Sequence, residues 1–301
     1  MNRCVRAVAL ALVLVVDAPG IRATDIFDLV HDRYADNGGV KIHYVTRGRG
    51  PLVVLLHGFP DFWYGWREQI PLLARNHLVA ALDLRGYNLS DKPHGADQYG
   101  MGYLIGDVAA VIHDLGYEHA TIVGHDWGGG IAWVFAALYP QMTDGLVVLQ
   151  TPHPRGLVRE LRTNPDQQAR SAYARAFQQP DAFLNLTASG LSLWVVDPTA
   201  RARYVEAFQR SDFEAMLDYY QANYPREPYA DIPLPNVQAP VLIMHGLDDP
   251  FLLPAGHNST WSFVDGPITL KTVPHVGHFI HQDAADLVTR TIYQWLRERR
   301  L

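Results

Sequence analysis

Leu52-Val53-Val54-Leu55-Leu56 is a strand-length run with no polar residue, which only a strand covered on both faces can tolerate. Gly145 to Leu149 is a second buried run. Further strand signals lie at Leu78 to Leu84, Ala120 to Val123, Pro240 to Gly246 and Ile268 to Val273. Val40 to Thr46 alternates and is expected to be a strand buried on one face. Between the runs, Gly106 to Leu115 has helical spacing, with Val108, Val111, Ile112 and Leu115 on one face. Ile131 to Tyr139 reads as a helix stopped by Pro140, and Ala284 to Arg297 as an amphipathic closing helix. Strands alternating with helices specify an α/β fold, a mostly parallel sheet with helices on both faces.

The rhythm breaks after Thr151-Pro152. Residues 153–235 contain no comparable apolar strand and read as several helices punctuated by Pro165, Pro180, Pro198 and Pro225. The expected organisation is one core, residues 26–152 and 236–301, interrupted by a helical cap at 153–235. At 301 residues and 48% hydrophobic, the chain can bury a core of that size. Its net charge is −6 and it has no basic tract, which argues against nucleic-acid or anionic-membrane binding.

Residues 1–23 differ from the rest. Arg3 and Arg6 precede the apolar run Ala7 to Val16, and Ile21-Arg22-Ala23 ends the segment, the order of a secretory signal peptide. The run is too short to span a bilayer. Cleavage would leave an exported chain, periplasmic or secreted, with no integral membrane segment. It would also remove Cys4, the only cysteine, and with it any disulfide or thiolate chemistry.

The chemistry centres on Gly124-His125-Asp126-Trp127-Gly128-Gly129, a small-x-nucleophile-x-small turn between strand and helix with a carboxylate at its centre. Such a nucleophile needs a base, a group that orients the base, and oxyanion donors. His278, directly after the last strand, is the candidate base. Asp248 and Asp249, after the preceding strand, are the candidate orienters. The backbone N–H groups of Trp127 and of Phe59, in His57-Gly58-Phe59-Pro60, are the candidate donors. Asp126 is ionised near neutral pH and needs no base to attack. Attack on an ester carbonyl would give an anhydride, whereas attack on saturated carbon gives an ester that His278 and water can hydrolyse. The leaving group is then the alkoxide of an opened epoxide, or a halide.

His57-Gly58-Phe59-Pro60, Asp83-Leu84-Arg85-Gly86-Tyr87-Asn88-Leu89-Ser90, the Asp elbow and Gly277-His278-Phe279 together resemble the α/β-hydrolase fold family, and within it the epoxide hydrolases. Asn88 departs from the family's usual Gly. The family's spacing implies Asp249 rather than Asp248 as the acid; the alternative position after the sixth strand, Gln150-Thr151-Pro152, has no carboxylate. The resemblance also implies two cap tyrosines that protonate the epoxide oxygen. Tyr173 leads the first motif, and Tyr220 stands in the second, with Tyr219 as the competing neighbour. An alkoxide's parent acid has a pKa of about 16, as for water. A phenol at about 10 can protonate it.

Dehalogenases with the same triad are the alternative. A halide needs side-chain N–H donors, yet Phe59 stands where haloalkane dehalogenases carry Asn, and Trp127 where fluoroacetate dehalogenases carry Arg. A non-catalytic ligand-binding protein of this fold is a further alternative. The resemblance therefore implies a small apolar epoxide-type substrate and no cofactor. His57 and His125 are expected to bond loop backbone, and His153, His275 and His281 to be structural or solvated. No HExxH-type metal spacing is present. Gly100-Met101-Gly102 is read as a helix start rather than a dinucleotide loop.

Overall fold

In the computed structural model, which describes residues 25–301, the apolar runs form the middle of an eight-stranded sheet. Its strands are β1 His31–Asn37, β2 Val40–Gly48, β3 Leu52–Leu56, β4 Leu78–Leu82, β5 Ala120–His125, β6 Thr143–Leu149, β7 Val241–Gly246 and β8 Ile268–Val273. Their order is β1-β2-β4-β3-β5-β6-β7-β8, antiparallel at β1–β2 and β2–β4 and parallel elsewhere. β3, β5 and β7 are buried at every position. The expected signal segment, residues 1–23, lies outside the described residues.

The core helices are α1 Ile70–Leu73, α2 Met101–Asp114 and α3 Trp127–Leu138. Between β6 and β7 the chain forms α4 Pro154–Thr163, α5 Pro165–Arg170, α6 Ala172–Phe177, α7 Ala188–Leu191, α8 Pro198–Arg210 and α9 Phe213–Asn223. After β8 come α10 Ile280–Asp283 and α11 Ala285–Arg299. α2 packs on α3 over β3, β5 and β6, and α1 packs on α11 over the other face. Five of the six inserted helices, α4, α5, α7, α8 and α9, open with a side-chain cap; in α8, Asp197 accepts from the Ala200 N–H. Gly100 is the N-cap of α2, so the Gly100–Gly102 segment starts a helix. Among the described residues no helix is long and apolar enough to cross a membrane.

Two features depart from the apolar pattern. β1 is mostly exposed and polar, and only Ala35 is buried. It is held instead by its pairing with β2 through a tight turn in which Gly38 and Gly39 both have positive φ. β2 is not half-buried as its alternation suggests: Ile42 to Thr46 are buried in succession. The polar member, His43, is covered because its Nδ1 meets Asp83 at 2.7 Å and its Nε2 meets Asp32 at 3.0 Å. Burial opposes the charged imidazole, but these carboxylates outweigh it and raise the His43 pKa.

A second ion pair ties the sheet to α2. Arg85, after β4, is fully buried and grips Asp107 of α2 through two bonds, Nε at 2.7 Å and an η-nitrogen at 2.5 Å. Asn37, at the end of β1, donates to the same carboxylate at 2.8 Å. Arg85→Met strands the Asp107 charge and is expected to cost about 3–5 kcal/mol. Arg85→Met/Asp107→Leu should recover most of that loss. Urea unfolding of both variants tests this, and a single-variant loss under about 1 kcal/mol contradicts it.

Candidate active site

Asp126 stands between β5 and α3 with φ of +51°, a conformation that side chains other than glycine rarely adopt. The turn is held there by close backbone approach. A Cβ on Gly124 would lie 2.2 Å from the Gly128 carbonyl oxygen, and one on Gly128 would lie 2.2 Å from that of Leu56. The elbow thus passes over the end of β3 at a distance only glycine permits. The Phe59 N–H donates to Asp126 Oδ1 at 2.8 Å, and the Thr151 hydroxyl donates to its carbonyl at 2.8 Å. Trp127 opens α3, and its N–H is one of the amides a helix leaves without an internal acceptor.

His278 lies between two carboxylates. Its Nδ1–H donates to Asp249 Oδ2 at 2.8 Å, and its Nε2 is 3.5 Å from Asp126 Oδ2. Asp248 is turned to solvent, 3.8 Å from His275, so Asp249 is the acid that reaches the imidazole. Asp249 also accepts N–H bonds from Phe251 at 2.7 Å and Leu252 at 3.0 Å. Burial would raise its pKa, but His278 and these donors hold it at about 2. Burial would likewise keep His278 neutral, yet Asp249 and Asp126 outweigh it and push the imidazole up to about 10. His278 in turn keeps Asp126 below the ordinary carboxylate range against the effect of burial. This arrangement favours an ionised Asp126 beside a protonated imidazole.

A cavity of about 500 Å³ opens above the elbow, with Asp126, Trp127, Tyr173 and Tyr220 in its wall. Tyr173 is on α6 and Tyr220 on α9, their rings edge-to-face with centroids 6.0 Å apart. Burial, then the neighbouring charge and phenol, raises both hydroxyls well above the usual phenol range, so each stays a proton donor. Tyr219 is directed elsewhere: its hydroxyl donates to the Arg85 carbonyl at 2.9 Å.

His57 Nδ1–H donates to the Gly58 carbonyl while Nε2 accepts from the Leu84 N–H, and His125 Nε2–H donates to the His278 carbonyl. His153 caps α4, His275 is exposed, and His281 is buried against Asp61 at 3.2 Å. Asp61, His125 and His281 come together beneath the site, with ligand-type atoms within 4.8 Å of one another, from positions no sequence spacing links. Sequence reasoning passed over Gln150 because it is not an acid. It is buried at φ +70°, and its amide donates to Asp249 Oδ2 at 2.8 Å and the Gly277 carbonyl at 2.9 Å. Its oxygen accepts from the Gly246 N–H. A buried amide at a strand end beside the missing carboxylate was the only sequence signal for that role.

The α/β hydrolase fold family matches residues 51–285. Epoxide hydrolase 4 of Mus musculus is 33% identical over 279 residues, covering 87% of this chain and 78% of the relative. The AB hydrolase superfamily protein YfhM of Bacillus subtilis is 34% identical over 301 residues, covering 90% of this chain and 100% of the relative. A crystal structure of a Bacillus megaterium epoxide hydrolase in complex with an inhibitor superposes with a TM-score of 0.82 at 33% identity, covering 88% of this chain and 100% of that one.

The charge pattern makes its own prediction. Asp126→Asn removes one of the two carboxylates that favour the imidazolium. The His278 titration, followed by nitrogen NMR, should then fall well below the value of about 10 set by both. An unchanged midpoint would show that Asp126 does not help to hold that proton.

Proposed function

The chain belongs to the α/β-hydrolase fold family, in its epoxide-hydrolase branch, and we propose that Asp126, His278, Asp249, Tyr173 and Tyr220 divide the work of converting an epoxide to a vicinal diol. The observation that carries this assignment is the meeting of one ionised carboxylate and two protonated tyrosines on a single apolar cavity. An Asp126 oxygen attacks an epoxide carbon. The ring C–O bond breaks as the ester C–O bond forms, and the ring oxygen takes a proton from Tyr173 or Tyr220. Ester formation consumes the Asp126 charge, so only Asp249 still favours the imidazolium. The tyrosinate regains a proton as His278 gives one up.

Neutral His278 then removes a proton from water, and hydroxide adds to the Asp126 ester carbon. The Phe59 and Trp127 amides hold the resulting oxyanion. Collapse expels the diol oxygen with the acid proton and restores the Asp126 carboxylate beside imidazolium. No cofactor enters the balance. Halide departure has weaker support, since Phe59 offers only its backbone N–H, already directed at Asp126.

Intact-mass spectrometry after mixing with a styrene-type epoxide tests the division of labour. His278→Gln should accumulate protein heavier by one epoxide. Tyr173→Phe/Tyr220→Phe should form that ester at least ~10²-fold more slowly. Ester formation at the wild-type rate without both hydroxyls would overturn the donor assignment.

The charged, apolar, small-residue order of residues 1–23 supports export of the mature chain. Expression with the native N-terminus should yield exported protein beginning near Thr24, as read by N-terminal sequencing. Full-length protein retained in the cytoplasm would refute export.

A further inference from the structure

The cavity is one-sided. It runs from Asp126 along a single face of α3, past Trp127, Gly130 and Val134 to Leu138. The eleven helical rises from Trp127 to Leu138 give that arm a length of about 17 Å. Leu138, at its far end, is 45% exposed, so the arm reaches solvent there. A Cβ on Gly130 would meet nothing within 4 Å, which makes this position the open floor of the arm. The surroundings of the catalytic pair on its other side are filled by aromatic rings. Phe59 and Phe177 pack edge-to-face on Tyr220 at 5.6 and 5.2 Å, and Phe251 packs on Tyr173 and His278 at 5.1 Å each. None of these three phenylalanines contributes to the cavity wall.

The wall is also nearly free of charge. Among the described residues Asp126 is the only Asp, Glu, Lys, Arg or His that lines it. The Thr151 hydroxyl is committed to the Asp126 carbonyl, and the Asn223 amide nitrogen to the Tyr99 and Tyr219 carbonyls. Between Asp126 and the solvent end of the arm, an anionic or cationic group would lose its hydration and find no counter-charge beside it.

Resting on the epoxide-hydrolase reading, we propose that the preferred substrate is a neutral, monosubstituted epoxide whose single long apolar arm lies along α3 from Trp127 toward Leu138. The unsubstituted side of the ring faces the packed phenylalanines, where a second large substituent has no space.

The test compares 1,2-epoxyalkanes from epoxybutane to epoxydecane, together with internal epoxides of equal carbon number that carry alkyl groups on both carbons. The expected kcat/KM rises by up to about threefold per methylene as apolar surface enters the arm. Internal isomers should fall at least tenfold below the terminal ones. Gly130→Leu, which fills the floor, should cut the epoxydecane-to-epoxybutane ratio of kcat/KM at least tenfold. Turnover with a flat chain-length profile, equal rates for internal isomers, or an unchanged ratio in Gly130→Leu would overturn the arm while leaving epoxide hydrolysis intact. Absence of turnover for every member of the series would overturn both readings.

Discussion

The whole site depends on how closely the elbow approaches the end of β3. Gly124 and Gly128 let β5 turn into α3 with no Cβ in the way, and a Cβ on Gly58 would fall 2.3 Å from that of Asp126. This contact forces Asp126 into positive φ and lifts its carboxylate onto the Phe59 N–H. A strained backbone of this kind persists only when its surroundings over-determine it. Here they do: β5 lies between β3 and β6, α3 packs on both, and Thr151 holds the Asp126 carbonyl. The same approach that lifts Asp126 out of the turn places the Phe59 N–H, the proposed oxyanion donor, beside it.

Once Asp126 is fixed, charge governs the order of events. Two carboxylates around one imidazole, Asp249 buried and Asp126 mostly so, favour imidazolium, and that cation helps to keep Asp126 ionised against desolvation. While both carboxylates are charged, the imidazole is held back from acting as a base. In the proposed reaction His278 becomes a base once Asp126 has been converted to a neutral ester, because the carboxylate that opposed deprotonation is then gone. Asp249 remains, fixed by two backbone amides and by Gln150, so the imidazole keeps its orientation through the change. The first reaction thereby prepares the second.

The parts of this arrangement legible in the sequence were those that impose a pattern on it. Strands buried on both faces must be apolar, so β3 was delimited to the residue and β5 to β7 within two; β8, an edge strand buried only at Val273, was delimited to the residue as well. The glycines of the elbow are demanded by backbone contact and stand beside Asp126 in the chain. The polar edge strand β1 was missed because hydrogen bonding to β2, not burial, holds it. β2 looked half-buried because His43 reads as polar, although carboxylates neutralise it inside. Asn88 departs from the family's Gly, yet its φ of +40° shows what that position requires, and Asn is among the few residues that tolerate it. Choosing Asp249 over Asp248, or Tyr220 over Tyr219, turns on which way adjacent side chains point. Periodicity cannot supply that in a loop, and in a helix already buried on most sides it supplies little.

The inserted helices are more than a cover, because their polar anchors reach the loops that form the core side of the site. Tyr204 of α8 donates to Asp61, two residues after Phe59, and Tyr219 of α9 donates to the Arg85 carbonyl. Arg210 of α8 donates to the Asn88 side chain, whose own amide holds Asp83. Asp83 also accepts the Trp63 N–H and the His43 imidazole. α8 and α9 are thus registered against the loops after β3 and β4, one of which supplies the Phe59 amide. Tyr220 follows Tyr219 in the same helix, so the bond that turns Tyr219 toward Arg85 also fixes the direction of Tyr220. The distance between Asp126 and Tyr220 is therefore set by buried hydrogen bonds across the join, in a region where the apolar packing alone would tolerate several registers.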